Sequence, residues 1–219
     1  MSYGKLFTLE GTKTLPRLSN QAGEKGSILP DGDLEFVRAC QKGDLNAFDV
    51  LVVRHQRKMF NVAYRMLGNY DDAADVTQEA FVAAYKAIGT FKTEAKFSTW
   101  LYSITVNHAK NRLKQTRGRK EHERLSPAET ENLELESCPR SDENPYAIME
   151  QKEKDALVHQ CIASLDDEYR EVLILRDIQG LSYEEIRGIL NIPEGTVKSR
   201  LARAREALKN GLLKVFGDL

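Results

Sequence analysis

From Asp33 onward, apolar positions recur at helical spacing, and no stretch alternates convincingly at a period of two. The residues before it are rich in Gly, Ser, Thr and Lys, show no period, and predict a flexible tail over 1–32. Gly43-Asp44 interrupts the first helical pattern. Asp44 can cap a long second helix carrying Phe48, Leu51, Val52, Met59, Val62, Ala63 and Met66 as far as Gly68. Asn69 or Asp71 opens a third helix, ended by Gly89, with Phe81, Tyr85 and Ile88 on a side fit for burial. A polar connection holding Phe91 and Phe97 follows, and Ser98 or Thr99 opens a fourth helix. Over 118–144 the pattern dissolves into Glu, Ser, Pro and Asn, which predicts a self-repelling linker. A second helical unit starts near Pro145. The fold class is therefore all-α. An N-terminal helical bundle (33–117) and a C-terminal helical domain (145–219) are joined by an acidic flexible linker, and there is no internal repeat.

The sharpest local signal lies in the second unit. In Gly180-Leu181-Ser182-Tyr183-Glu184-Glu185-Ile186, Ser182 can accept from the backbone of Glu185 while the Glu185 side chain reaches back, forming a capping box. Ile186, Ile189 and Leu190 give that short helix an apolar face. Pro193 ends it by disfavouring helical geometry in the residue before it, and a longer basic helix begins near Glu194. Short helix, tight turn and basic helix make a helix-turn-helix, whose second helix enters a DNA major groove. Turned at 3.6 residues per turn, that helix puts Val197, Leu201, Ala204 and Leu208 on a packing side. Ser199, Ala202, Arg203 and Glu206 fall opposite, with Lys198 and Arg205 on one flank and Arg200 on the other. The outward face suits base edges and the flanks suit phosphates. Arg203 is the best candidate for a bidentate guanine contact. A merely solvated basic helix would not need the capping box and turn before it.

In the first unit, Phe97-Ser98-Thr99-Trp100-Leu101-Tyr102-Ser103-Ile104 runs into Asn107, Lys110, Asn111, Arg112 and Lys114. On a helix, Tyr102, Val106, Ala109 and Leu113 make one stripe. Trp100, Ile104, Asn107, Asn111 and Lys114 make another, nearly opposite. Aromatics beside cations suit single-stranded DNA, at about 1–3 kcal/mol per stacked base. Trp100 and Tyr102 filling a small core is an equally good reading of these residues alone. The third helix places Asp75, Gln78, Glu79, Val82 and Lys86 on one face, which suits either docking of a partner protein or solvation.

The formal net charge of -1 conceals segregated blocks. Lys110, Arg112, Lys114, Arg117, Arg119 and Lys120 form one basic block, and Lys198, Arg200, Arg203, Arg205 and Lys209 another. The stretch between carries Glu121, Glu123, Glu129, Glu131, Glu134, Glu136, Asp142 and Glu143. Such segregation points to a polyanionic partner. Cys40, Cys138 and Cys161 lie far apart with no metal-ligand spacing, so neither a disulfide framework nor a metal site is expected. No apolar run approaches the roughly 18 residues of a membrane span. The first residues lack a signal peptide's apolar core, so a cytoplasmic protein without membrane insertion is expected.

Taken in order, these segments resemble the extracytoplasmic-function (ECF) group of bacterial sigma factors, and their sigma-E-like branch in particular. The matching stretches begin with Gly43-Asp44 to Phe48 and Asp75-Val76-Thr77-Gln78-Glu79-Ala80-Phe81 with Ala84-Tyr85. They continue with Phe97-Ser98-Thr99-Trp100-Leu101 and Asn107-His108-Ala109-Lys110-Asn111. In the second unit they are Leu181-Ser182-Tyr183-Glu184-Glu185-Ile186 and Gly195-Thr196-Val197-Lys198-Ser199-Arg200. The resemblance implies a region two at 33–117 and a region four at 145–219. It implies that Asp75, Gln78, Glu79, Val82 and Lys86 meet core RNA polymerase at its β′ clamp, with further contacts to β. It implies minus-ten promoter DNA at Phe91, Phe97, Trp100, Asn107, Lys110, Asn111 and Lys114. It also implies minus-thirty-five DNA at Tyr183, Glu184, Lys198, Ser199, Arg200, Arg203 and Arg205. An anti-sigma partner, often membrane-linked, is common in the family. Ala202 stands where some sigma-E-like relatives carry a bulky aromatic, so their minus-thirty-five sequence does not transfer.

On this reading polymerase supplies the chemistry, while the chain supplies promoter address and strand opening. The regulon would answer stress or envelope signals. The rival is a helix-turn-helix regulator that binds duplex DNA without polymerase. An enzyme is disfavoured: His55, His108, His122 and His159 have no nucleophile or carboxylate at a recognisable spacing, and no glycine-rich phosphate loop occurs. No cofactor is expected.

Overall fold

The computed structural model describes residues 32–92, 94–122 and 145–217. The expected tail up to residue 31 lies outside them, as does the expected linker beyond His122. Every regular element among the described residues is helical.

The N-terminal domain comprises α1 (Leu34–Gln41), α2 (Leu45–Leu67), α3 (Tyr70–Ala87), a 3-10 turn (Ile88–Thr90) and α4 (Phe97–His122). Local sequence sets each boundary. The Asp44 carboxylate accepts from the Asn46 amide at 2.9 Å, and the Asn69 side chain accepts from the Asp72 amide at 2.9 Å. Each satisfies one of the free N–H groups of a helix start. Gly68 closes α2 at φ 73°, a conformation that costs glycine little and other residues more. Leu51, Met59 and Val62 of α2, Val76 and Ala80 of α3, and Leu101 and Ala109 of α4 are all fully buried. Each large side chain withdrawn from water in this way contributes about 1.5–3 kcal/mol. Asp33, just before α1, is buried against α2. It meets His55 at 2.6 Å and Arg54 at 3.0 Å. Burial pushes its carboxyl pKa up, but the two basic partners outweigh burial and leave it below the usual value.

Two sequence expectations are corrected here. Tyr85, expected in the core, is 44% exposed and leans edge-on against Phe48 at 5.1 Å, because Phe81 and Ala84 already fill that side of α3. The fourth helix does not stop where the polar composition begins at Gly118, and it runs on to His122.

The C-terminal domain comprises α5 (Pro145–Ala163), α6 (Asp167–Leu173), a π-helical turn (Ile174–Ile178), α7 (Tyr183–Leu190) and α8 (Glu194–Phe216). The capping box forms as expected, with Glu185 N–H to Ser182 Oγ at 3.2 Å and Ser182 N–H to Glu185 Oε2 at 2.9 Å. Asn191, in the left-handed region at φ 52°, ends α7, and Pro193 precedes α8. Val197, Leu201 and Ala204 are buried against α6 and α7, and Leu208 is half-buried. The π turn runs on directly from α6. It turns Ile174 and Leu175 into the core while Asp177 faces α8.

The two domains pack on one another. Arg170 of α6, 7% exposed, donates to the carbonyls of Ile162, Ala163 and Leu165 at the end of α5 and to that of Met66 in α2. One guanidinium thus satisfies carbonyls at two helix C-termini, where the partial negative charge of each helix collects. Tyr64 of α2 stacks on His159 of α5 at 4.7 Å.

Candidate nucleic-acid interface

α4 begins in an aromatic cluster. Trp100 is half-buried, packed against Phe91 at 4.8 Å and Phe97 at 5.8 Å, and the Phe91 and Phe97 rings meet edge-on at 6.1 Å. The Gln41 amide holds the connection before α4 by donating to the carbonyls of Ile88 and Phe91, each at 3.0 Å. Phe97 is 1% exposed and Phe91 9% exposed. Both rings are turned inward and form the floor on which Trp100 rests. Tyr102 is buried as the core stripe requires. Burial, then the nearby Glu185 charge, pushes its phenol pKa up to about 12. Asn107, Asn111 and Lys114 are exposed along the other stripe, and Lys110 is half-buried. Of the two aromatics, Tyr102 is core, and Trp100 lies at the edge of that core.

On α3, Asp75, Gln78, Glu79, Val82 and Lys86 are all exposed on one side. Arg112 of α4 reaches over part of it, at 2.7 Å from Asp72, 3.5 Å from Asp75 and 3.0 Å from Glu79. These acids, Asp72 first, raise the Arg112 pKa further. Gln78, Val82 and Lys86 make no ion pair with any described residue. With Tyr85 they leave an apolar and amide strip beside an acidic edge.

On α8, Arg203 and Ser199 are exposed on the outward face, and no described residue pairs with the Arg203 guanidinium. Lys198 lies 2.6 Å from Glu194 and 5.5 Å from the Tyr183 ring, whose other cationic neighbour, Arg176, sits at 4.8 Å. Glu184 is exposed at the start of α7. Arg205 makes a fork with Asp177, at 2.9 Å from Nε and 2.6 Å from a terminal nitrogen. Arg200 departs from the free flank that the helical wheel predicts: its side chain is 24% exposed and turned to Glu168 and Glu171.

Sequence reasoning missed the pairings that join the two halves. Lys110 lies 2.9 Å from Glu171, Arg117 makes a fork with Asp167 at 2.6 and 2.8 Å, and Lys96 reaches Glu185 at 2.9 Å. The Tyr102 hydroxyl donates to Gln179 at 3.0 Å. One signal was available: Arg170 lies three residues before Leu173, on the buried side of a short helix, where an unpartnered charge would be costly.

A protein helical throughout its described residues, with an aromatic and cationic edge in one domain and a helix-turn-helix in the other, has the make-up of a two-domain DNA-binding protein. Residues 51–119 match the family described as Sigma-70 region 2, and residues 155–208 match Sigma-70, region 4. An RNA polymerase sigma-H factor from Pseudomonas aeruginosa is 39% identical over 185 residues, spanning 84% of this chain and 96% of that protein. An ECF RNA polymerase sigma-E factor from Escherichia coli is 42% identical over 178 residues, spanning 81% and 93%. Among solved structures, CnrH in complex with the cytosolic domain of CnrY superposes with a TM-score of 0.60 at 25% identity, covering 84% of this chain and 99% of that one. The sigma factor RpoE from Bartonella quintana, in complex with the anti-sigma factor NepR, shares the fold, with a TM-score of 0.59 at 21% identity over 77% of this chain and 98% of that one. The chain belongs to the sigma-70 family of RNA polymerase sigma factors, in its ECF, sigma-E-like group. It is a DNA-binding subunit of transcription initiation.

Proposed function

We propose that the chain, on core polymerase, reads a promoter with two surfaces of unlike chemistry and holds one strand open between them. The observation that carries this is the contrast between α4 and α8. α4 offers Trp100, seated on Phe91 and Phe97, in line with Asn107, Asn111 and Lys114. A half-buried indole beside amides and cations offers an unpaired base a stacking surface and its phosphates a charge partner. α8 offers Arg203 on an exposed face of a helix sized for the major groove. The first surface takes the minus-ten element as a single strand, and the second takes the minus-thirty-five element as a duplex. Stacking of unpaired bases offsets an unstacking cost of a few kcal/mol per base. Tethering both surfaces to one polymerase raises their effective concentration on a single promoter.

The strip of Gln78, Val82 and Lys86, with the acids Asp75 and Glu79, is assigned to the β′ clamp. An exposed Val82 and Tyr85 beside polar residues supports a protein contact there. Region two is assigned to 33–117 and region four to 145–219. Both neighbouring structures hold a partner protein, and in the second it is the anti-sigma factor NepR, which supports an anti-sigma partner here as well. No helix among the described residues is long and apolar enough to cross a membrane; the likeness to polymerase sigma factors supports action in the cytoplasm beside polymerase. The chain performs no catalysis of its own in this scheme, and its regulon answers an envelope or stress signal. Run-off transcription with purified core polymerase on a random promoter library tests the proposal. Chain-dependent transcripts sharing two spaced elements are expected, and transcripts indifferent to the chain would overturn it.

A further inference from the structure

Packing does not account for the fork between Asp177 and Arg205. The two side chains are 32% and 54% exposed, and an ion pair so open to water adds little to folding stability. A carboxylate on that flank of α8 would also repel the phosphates of a duplex. The geometry of the pair supplies a reason for it. The Asp177 oxygens take Nε of Arg205 at 2.9 Å and Nη2 at 2.6 Å. No described residue accepts from Nη1, so the Nη1–Nη2 edge stays free. That edge can pair bidentately with two phosphate oxygens. Arg205 lies about three turns after Glu194, beyond the first residues of a recognition helix that meet base edges. On the flank it shares with Lys198, a phosphate is the natural ligand.

The turn that carries Asp177 is itself held. Arg176 donates to the Leu181 carbonyl at 2.7 Å, and its guanidinium lies 4.8 Å over the Tyr183 ring. The Gln179 amide closes the π turn on the Ile174 carbonyl at 3.0 Å. Asp177 thus reaches α8 from a fixed base. We infer that Asp177 is a positioning residue for promoter binding: it holds one edge of the Arg205 guanidinium and so presents the other to a backbone phosphate of the minus-thirty-five duplex. The inference rests on the reading of α8 as the minus-thirty-five surface. An arginine gives up rotamer freedom when it meets a phosphate, and here the fork has already taken that freedom. Charge alone predicts the opposite sign for the loss of Asp177. Removing a carboxylate beside DNA should tighten binding to any duplex, whereas removing a positioning group should weaken it.

The experiment uses the full chain assembled with core polymerase and a duplex carrying the upstream element of a promoter recovered from the run-off library. Fluorescence anisotropy measures affinity over a series of salt concentrations. Arg205→Ala should weaken binding and lower the slope of log affinity against log salt by about one, the signature of one lost phosphate contact. Asp177→Asn should weaken binding about fivefold and lower the slope in the same direction, although the chain has lost a negative charge. Placed on the Arg205→Ala background, it should weaken binding no further. Arg205→Lys keeps the charge without the second edge, and tests the fork from α8 should the Asp177 variant fail to fold. It should lose about as much as Asp177→Asn. Unchanged or tighter binding by Asp177→Asn overturns the inference, as does wild-type binding by Arg205→Lys. An equal loss from Asp177→Asn with and without Arg205 overturns it too, by showing that the acid serves only the fold. These outcomes leave α8 as the duplex surface. An Arg205→Ala variant with unaltered affinity and slope would instead take this flank of α8 off the DNA, and the inference with it.

Discussion

Arg170 and Met66 are 104 residues apart in sequence and 2.9 Å apart in space, joined by a guanidinium proton given to a backbone carbonyl. The same guanidinium serves three carbonyls at the end of α5, so it organises its own domain while fastening the other. Burial lowers its pKa, and the Asp167 carboxylate, 3.4 Å away, works against that shift. Arg170→Met would leave the four carbonyls short of a donor in a dry site. It should lower stability by about 3 kcal/mol. Arg170→Lys should restore little of it, since an ammonium lacks the planar fork that spans several acceptors. Denaturant titration followed by circular dichroism measures both. A loss below about 1 kcal/mol would mean that water replaces the guanidinium there.

Trp100→Ala should weaken capture of unpaired promoter DNA by about 1–3 kcal/mol, the worth of one stacked base. The measurement compares polymerase bound to a premelted promoter with polymerase bound to the upstream duplex alone. The loss should fall on the premelted template. Equal loss on both would show that the indole matters only as a lid over Phe91 and Phe97.

Arg203→Ala should cost roughly 1–3 kcal/mol and relax preference at one minus-thirty-five base pair. Affinity across a set of single-base upstream variants resolves the point. Uniform weakening would make Arg203 a phosphate contact. Arg200→Ala carries a different expectation, since its side chain is spent on Glu168 and Glu171 in the docked chain. Its loss should be felt in the stability of the C-terminal domain as well as in DNA binding.

These assignments show where sequence was legible and where it was not. Asp44, Asn69 and Ser182 mark helix starts because a cap is a contact between residues two or three apart, and such contacts are written locally. The packing stripe of α8 was legible for the same reason, through Val197, Leu201 and Ala204. Tyr85 was misjudged because helical period gives the direction of a side chain and not whether the core has room for it. Lys110, Arg117 and Arg200 read as free cations because their partners lie in another helix or another domain, and nothing in their own neighbourhood names Glu171 or Asp167. The continuation of α4 to His122 was hidden by composition, since Glu and Lys serve an exposed helix as well as a linker.

His159 makes the docked arrangement sensitive to pH. Its ring stacks on Tyr64 across the domain boundary, and its Nε2 is buried without a hydrogen-bond partner among the described residues. Burial, and then the nearby Arg65 charge, hold its pKa below the ordinary 6.5; the hydrogen bond to the Tyr64 backbone pulls the other way, and Arg170 adds a smaller push downward. A histidine with a depressed pKa in the docked state binds its proton better when the domains part. Docking is therefore at full strength above about pH 6.5, where the ring is neutral in both states. It weakens as pH falls, by about 1.4 kcal/mol per pH unit between the two pKa values, and levels off below the lower one. The scattering radius of the free chain should grow from about pH 7.5 to about pH 5.5. His159→Phe keeps the stacked ring and removes the proton site, so its radius should stay constant over that range. Should the variant expand in parallel with the wild type, the acid response belongs to the carboxylates of α6 and not to this imidazole.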